Sequence, residues 1–487
     1  MYIKQVMGIV SIIVFALFGG FSNGYTDTSE PDVAAIDAYI ESEMQRDRIP
    51  GVALALVHDD QIVHVRGYGD DGRGNPIDSD TSFILGSMSK SFTALAIMQL
   101  VERGLIELDA PVQTYLPWFQ VADSDASATI TVEHLLHHTS GIPTRAPHAT
   151  GPSVTLQDHV RALADVSLNN PPGTQHEYAS PNYLVLGALI EEVSELSYAE
   201  YIQDSIFTPL DMRHSFGDQD QALRAGMSSG HRYWFGFPVP ATLDYEDDRL
   251  PTAAVISSAN DLSHYLIAQL KGGSYHEQTV LSSTGVEQMH APGPSGDGFS
   301  YAFGWRVSTL DGTPMIHHGG IVPHFRGKMV FLPEERWGVA VLTNASTSLP
   351  LPVIPSSHRM ADTIAGSLVG EPLTTSGYNQ SIVYLLISVG LALILLSQAR
   401  GLIALKNWWA KLRDRPHTKV SIEIASDLFW PLLVAIILPQ ILGLSWNEIW
   451  QGSPDLCVWL VMSAVLDITK GFIKTNMFRQ YLQQVSR

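Results

Sequence analysis

Three uniformly apolar runs near the C-terminus, Ser381–Ser397, Asp427–Ser445 and Pro454–Phe472, constrain this chain more than any other feature. Each is long enough to cross a bilayer as a helix. In lipid, every backbone N–H and C=O must be paired within the fold, and a helix does this inside one segment. A buried soluble helix is rarely this uniform, so three in succession predict three transmembrane helices, the last containing Asp467. Charge between the runs sets their direction. Ala399–Lys419 carries Arg400, Lys406, Lys411, Arg413, Arg415 and Lys419, whereas Trp446–Ser453 has no basic residue. Lys474, Arg479 and Arg487 mark the tail. By the positive-inside rule the first loop and the tail are cytoplasmic, and everything before the first run faces outward. Trp408, Trp409, Trp446 and Trp450 stand at the span edges, as interfacial anchors do.

The other end agrees. Met1–Gly24 has one lysine, an apolar core from Val6 to Phe21, and small residues at Ser22 and Gly24. That is a secretory signal pattern with cleavage after Gly24, the alternative being an uncleaved anchor. The expected organisation is therefore a signal peptide at 1–24, an extracytoplasmic domain at 25–370, a linker at 371–380 and a membrane region at 381–487. The protein is expected in the cell membrane, multi-pass. Residues 25–380 hold 18 Lys/Arg against 43 Asp/Glu, an acidic surface that argues against nucleic acid as a partner. The single cysteine, Cys457, excludes an internal disulfide and any cysteine-based metal site in the outer domain.

Within that domain, Asp32–Gln45 has helical spacing, and Val52–Val57 and Gln61–Arg66 read as strands joined at Asp59-Asp60. From about Gly104 to Pro251 the chain reads as loops and helices. Strand character returns at Ala302–Val307, Pro314–His317, Gly327–Leu332 and Trp337–Thr343, and a helix is expected over Ser357–Leu368. Strands at both ends with helices between predict an α+β (α/β) domain: a sheet lobe interrupted by a helical lobe, with a cleft between them.

The chemistry centres on Phe83–Val101. An apolar run ends at Gly86, and Ser87 opens a buried helical segment in which Ser87-Met88-Ser89-Lys90 reads S-x-x-K. Residues three apart share a helix face, so the Ser87 hydroxyl and the Lys90 amine can meet. A neutral amine there could take the serine proton. Burial and a helix N-terminus both push a lysine pKa down. Three more stretches bear on a site. Pro172–Ser180 places Tyr178 and Ser180 after a Pro-Gly turn. His317-His318-Gly319-Gly320 ends a strand where glycine allows close backbone approach. Glu133–Gly141 contains His134, His137 and His138, but lacks metal-site spacing such as H-E-x-x-H, which favours structural use. No metal or other cofactor is expected.

Together these stretches resemble the beta-lactamase-related serine hydrolases, a family of class C beta-lactamases, D-alanyl-D-alanine peptidases, D-aminopeptidases and esterases. GSMSK at 86–90, ITVEHLLHHTSGIP at 130–143, PGTQHEYAS at 172–180, ISSANDL at 256–262, HHGG at 317–320 and the segment ending at Asn344 match in order over about residues 32–368. The resemblance implies the serine beta-lactamase/penicillin-binding fold: an antiparallel sheet with flanking helices plus an all-helical lobe. It also implies Ser87 as nucleophile, Lys90 as its base and Tyr178 as proton shuttle. His318, Gly319 and Gly320 fall on the third family motif, and the backbone N–H groups of Ser87 and Ile321 would form the oxyanion hole. Ser180 stands where the family usually has asparagine, and His318 where class C enzymes have lysine. His318 is at most about half protonated at neutral pH from a reference pKa near 6.5, so weak beta-lactam turnover is expected. Tyr-Ala-Ser, His-Gly-Gly and the three spans together resemble the membrane-anchored subgroup of peptidases that mature colibactin-type prodrugs and of D-stereospecific resistance peptidases. Ile321-Val322 departs from the polar residues of the colibactin-maturing type, so no D-Asn preference is implied.

The expected function is an outward-facing, membrane-anchored serine peptidase acting through an acyl-enzyme on a small peptide with a D-residue. The alternatives are trimming of cell-wall D-peptides or ester hydrolysis with the same residues, and a beta-lactam sensor. A sensor needs a cytoplasmic output domain, and the inner segments here are only a loop and a short tail.

Overall fold

Gly51–His58 (β1) is apolar at nearly every position because both of its faces are covered. Val52, Leu54 and Leu56 enter one apolar cluster, and Ala53, Ala55 and Val57 enter another. The two-residue period of a strand sorts them. The computed structural model describes residues 31–149, 153–241, 249–296, 298–346, 356–375, 379–442 and 445–486. The signal segment expected at 1–24 and part of the linker expected at 371–380 lie outside the described residues. The chain from Val33 onward forms one compact unit.

In chain order, helix Val33–Asp47 (α1) precedes β1 and Gln61–Gly69 (β2). Ser82–Ile84 (β3) leads through a tight turn at Gly86–Met88 into Ser89–Glu102 (α2). The helical lobe contains Ser124–Thr129 (α3), Val132–Leu136 (α4), Leu156–Arg161 (α5), Ser180–Ser194 (α6), Tyr198–Ile202 (α7) and Gln219–Arg224 (α8). A hairpin, Gly230–Trp234 (β4) and Phe237–Ala241 (β5), is followed by Ile256–Ser258 (β6) and Ala259–Leu270 (α9). Ser274–Tyr275 (β7), Gln278–Thr279 (β8) and Ser283–His290 (α10) precede Ser300–Tyr301 (β9), Arg306–Leu310 (β10), Thr313–Val322 (β11), Phe325–Leu332 (β12), Trp337–Thr343 (β13) and Ala345–Ser346 (β14). Ser356–Ser367 (α11) closes the domain. Gln380–Ala404 (α12), His417–Leu442 (α13), Trp446–Gly452 (α14) and Pro454–Val485 (α15) form the C-terminal region.

The main sheet is antiparallel in the order β2-β1-β13-β12-β11-β10-β9. The first two strands thus add to the last five, and the helical lobe is an insertion between them. On one sheet face α1 and α11 supply Ile36, Ile40, Met360 and Ile364; on the other, α2 and α9 supply Phe92, Leu95, Leu262 and Leu266. Strand β10 pairs with β11 only as far as Arg306↔His317. Residues 318–322 of β11 therefore leave one edge free, and the Gly86–Met88 turn packs against it. That offset positions the site. Three helices, Ser381–Asn407, His417–Leu442 and Pro454–Val485, are long and apolar enough to cross a membrane.

The hairpin β4–β5 falls where the sequence predicts only loops and helices. Its turn is Phe235-Gly236 rather than Asn-Gly, and Pro238 and Pro240 interrupt β5, so the usual strand signals are missing.

Candidate active site

Ser87 lies in the one-turn segment Gly86–Met88, just before the α-helix proper begins at Ser89. In a tight 3₁₀ turn, side chains three apart eclipse, and the Lys90 Nζ sits 3.3 Å from the Ser87 Oγ. Lys90 is fully buried. Its Nζ donates to the Thr252 carbonyl at 2.9 Å and lies 3.4 Å from the Ser180 Oγ. No carboxylate forms an ion pair with it among the described residues. The Tyr178 ring lies beside it, 5.0 Å from Nζ to the ring centroid. The Tyr178 hydroxyl is buried without a hydrogen-bond partner among the described residues. Lysine thus stands between two serine hydroxyls under an aromatic ring.

Glycine shapes the opposite wall. Gly86 takes φ +61°, and a Cβ placed there would lie 2.7 Å from the Ile321 backbone nitrogen. The turn carrying Ser87 is therefore in direct contact with the free edge of β11, beside the second expected oxyanion donor. A Cβ on Gly320 would meet the Leu85 carbonyl at 1.8 Å, and one on Gly319 would meet the His358 ring at 2.5 Å. Both glycines are close-approach residues.

His318 is buried and its two ring nitrogens are both engaged. Nδ1 is 2.8 Å from the Gly319 carbonyl, which only an N–H can satisfy, so Nε2 accepts from the Tyr301 hydroxyl at 3.1 Å. Burial, which favours the neutral phenol, holds Tyr301 well above the ordinary tyrosine range. Burial, then the Arg306 and Lys90 cations, hold His318 well below the ordinary imidazole range. It is neutral at pH 7, a stronger departure from a lysine than its reference pKa implies.

The three histidines of 133–141 go to separate structural partners. His134 Nδ1 accepts from the Thr131 N–H in a capping box, and His137 Nδ1 lies 2.8 Å from the Tyr301 carbonyl. His138 Nδ1 accepts from the Ala179 N–H at 3.2 Å and lies 3.0 Å from Asn182 Nδ2, with its ring 4.4 Å from that of Tyr178. It holds the segment that presents Tyr178 and Ser180.

Tyr301, Thr252 and Arg306 are site neighbours that sequence reasoning missed. Thr252 acts through its backbone, and Tyr301 and Arg306 arrive by strand pairing; nothing local marks them. The Arg306 guanidinium lies 5.6 Å from the Tyr178 ring and 4.5 Å from the Phe299 ring. It has no acidic partner among the described residues, and its Nε is buried unpaired. The cleft is about 890 Å³, with Ser87, Ser180, Thr252 and Ile321 on its walls and Pro439 and Gln440 of α13 closing one side.

This arrangement has relatives. Residues 36–354 match the family model described as Beta-lactamase; the match ends before the apolar helices. Protein flp of Staphylococcus aureus (strain MW2) is 29% identical over 323 residues, which cover 64% of this chain and 63% of that protein. The chain therefore spans less than two thirds of the length of that relative. Penicillin-binding protein 4 of Amycolatopsis lactamdurans is 30% identical over 315 residues, covering 62% of this chain and 82% of the relative. Among solved structures, the octameric penicillin-binding protein homologue from Pyrococcus abyssi is similar with a TM-score of 0.60 and 27% identity, covering 70% of this chain and 78% of that one.

Proposed function

The chain belongs to the beta-lactamase family, and from that premise we propose that it is a membrane-anchored, outward-facing serine peptidase that cuts beside a D-amino acid through an acyl-enzyme. The observation that carries the reading is the buried Lys90 amine, 3.3 Å from the Ser87 hydroxyl and without a counter-ion among the described residues. Lys90 Nζ takes the hydroxyl proton as Ser87 Oγ attacks the substrate carbonyl. The oxyanion that forms is received by the N–H groups of Ser87 and Ile321. As the C–N bond breaks, the proton passes to the leaving amine through the Tyr178 hydroxyl, with the Ser180 hydroxyl as a second path from Lys90. Water then releases the acyl group by the same route in reverse. His318 and its two glycines shape the strand edge along which a peptide would lie.

A neutral, enclosed His318 gives no charged hold on the carboxylate of a penicillin-type ring. Losing a charge-assisted contact costs roughly 1.5–3 kcal/mol, about tenfold to a hundredfold in rate. A peptide with a neutral group at that place loses nothing. The unpaired Arg306 guanidinium supports a second reading, a carboxypeptidase whose D-peptide substrate ends in a free carboxylate one strand away from His318.

The full-length protein in detergent, offered N-acyl-D-aminoacyl amides, their L counterparts, D-peptides with free carboxylates and a chromogenic cephalosporin, separates these. Cleavage of D-amides with little of the L forms, lost in Ser87→Ala, is expected. If free-carboxylate peptides are preferred and Arg306→Gln removes only that preference, the second reading holds. Efficient cephalosporin turnover, or preference for L-peptides, overturns both.

A further inference from the structure

Hairpin β4–β5 takes no part in that chemistry, yet it is built against its own local preferences. Its turn residues Phe235 and Gly236 take φ of +49° and +77°, the geometry in which Asn-Gly is favoured and a bulky aromatic is strained. Phe235 is nevertheless 42% exposed, Phe237 60% and Val239 41%. Strain and an exposed ring are two penalties that water does not offset. Pro238 and Pro240 remove N–H donors from β5, which makes it a poor edge for pairing with another strand.

The tip meets the ends of two of the apolar helices. The Phe235 N–H donates to Asp455 Oδ2 at 3.0 Å, in the first turn of α15. Tyr233 stacks on Tyr384, in the first turn and a half of α12, with ring centroids 5.7 Å apart. Arg48 donates to the Gly236 carbonyl at 2.9 Å, and its guanidinium lies 4.4 Å over the Phe237 ring. The short helix α14 packs on β4 and exposes Trp446 and Trp450. Aromatic rings with a cation among them, level with the ends of spans, have the composition of the membrane–water boundary.

We propose that the tip of β4–β5 is an interfacial anchor. Phe235, Phe237 and Val239 enter the headgroup region of the leaflet on the hydrolase side, with Arg48 at the level of the phosphates. The anchor is tied to the cleft: Gly230 of β4 abuts His324 and Phe325, where a Cβ would meet side-chain atoms at 2.5 and 2.7 Å, directly after the rim residues Val322 and Pro323. The contact holds the hydrolase lobe at one tilt, so that the cleft opens along the lipid surface.

The inference rests on the apolar helices being spans, and its test separates the two. Full-length protein carrying Cys457→Ser receives single cysteines in place of Phe237, Val239, Asp311 or Leu386. Each is labelled with a polarity-sensitive fluorophore and reconstituted into phosphatidylcholine vesicles containing a lipid with a nitroxide near its headgroup. Labels at 237 and 239 are expected to be quenched by the lipid nitroxide and several-fold less quenched by aqueous iodide than the label at 311. Position 239 serves if the 237 variant fails to fold. Lipid quenching at 386 with free iodide quenching at 237 and 239 overturns the anchor alone. Shielding from iodide without lipid quenching also overturns it, because the cover is then protein. Loss of lipid quenching at 386 overturns the spans and the anchor together.

Discussion

Gly86 shows how little room the site leaves at the level of one residue. Its φ of +61° is one that alanine reaches only at a cost of about 1–2 kcal/mol, which a folded domain tolerates. The larger effect is steric, since the new Cβ would stand 2.7 Å from the Ile321 nitrogen. Backbone must give there, and what gives is the distance between the two proposed oxyanion donors. Gly86→Ala is therefore expected to fold and to lose roughly a hundredfold or more in acylation rate, the usual cost of one misplaced oxyanion donor. The rate of labelling by a fluorophosphonate, compared with wild type at matched thermal stability, measures it; an unchanged rate would remove Ile321 from the hole. His318 illustrates the opposite case, a side chain enclosed rather than presented. Arg306 and Lys90 both disfavour positive charge at that position. A lysine substituted there would thus be a buried cation without a carboxylate partner among the described residues, not a simple return to a class C site.

At the scale of elements, the membrane region is held by charge as well as by apolar surface. Lys474 of α15 reaches Glu423 and Asp427 of α13 at 2.6 and 2.7 Å, and Lys470 reaches Asp427 at 2.9 Å. Lys474→Met leaves Asp427 to Lys470 at 2.9 Å, and Glu423 to Arg415 at 2.8 Å and the Trp408 indole N–H at 3.3 Å. The loss falls short of a fully broken buried pair and is expected to be roughly 2 kcal/mol. Adding Glu423→Gln and Asp427→Asn should recover most of it. Thermal loss of helical circular dichroism in detergent reads both, and a neutral Lys474→Met would mean that the helices associate by packing alone. Sequence pattern marked the three apolar helices but not this network, whose members are apart in the chain. The same division runs through the hydrolase domain. β1 and β13 were legible because burial on both faces leaves an apolar run, and Ser87 with Lys90 because one helical turn joins them. The approach of Ser180 to Lys90, 90 residues apart, depends on how α6 packs on α2, and that of Tyr301 to His318 on strand order; no local pattern encodes either. β10 starts at Arg306 rather than at the expected Ala302 because 302–305 turn back beneath α2, where a Cβ on Gly304 would lie 2.7 Å from the Lys90 carbonyl.

For the whole molecule, buried histidines make stability depend on pH. His138 and His318 are fully buried and His324 nearly so. Burial holds the first two well below the ordinary imidazole pKa and pushes His324 down to about 4. Folded values below the unfolded value near 6.5 mean that the unfolded chain binds protons the folded one refuses. Stability is then complete above about pH 6.5 and falls as the pH drops through that value. Each histidine costs about 1.4 kcal/mol for the first full unit below it, so these three alone cost about 4 kcal/mol at roughly pH 5.5, and His290 and His358, both pushed down to about 3 by burial, act in the same direction. Asp261 acts the other way, its carboxyl pushed up to about 6 by burial. It recovers less than about 1 kcal/mol over the same interval, so the histidines decide the sign. Surface carboxylates, which give the chain its net charge of -20, are screened at about 0.15 M salt and contribute little. The melting temperature of the hydrolase domain, followed by tryptophan fluorescence of the full-length protein, is expected to fall by on the order of 10 °C between about pH 7.5 and 5.5. A melting temperature that holds or rises over that interval would mean that these imidazoles find proton-accepting partners on acidification. The enclosed, neutral His318 on which the proposed indifference to beta-lactam carboxylates depends would then be lost as well.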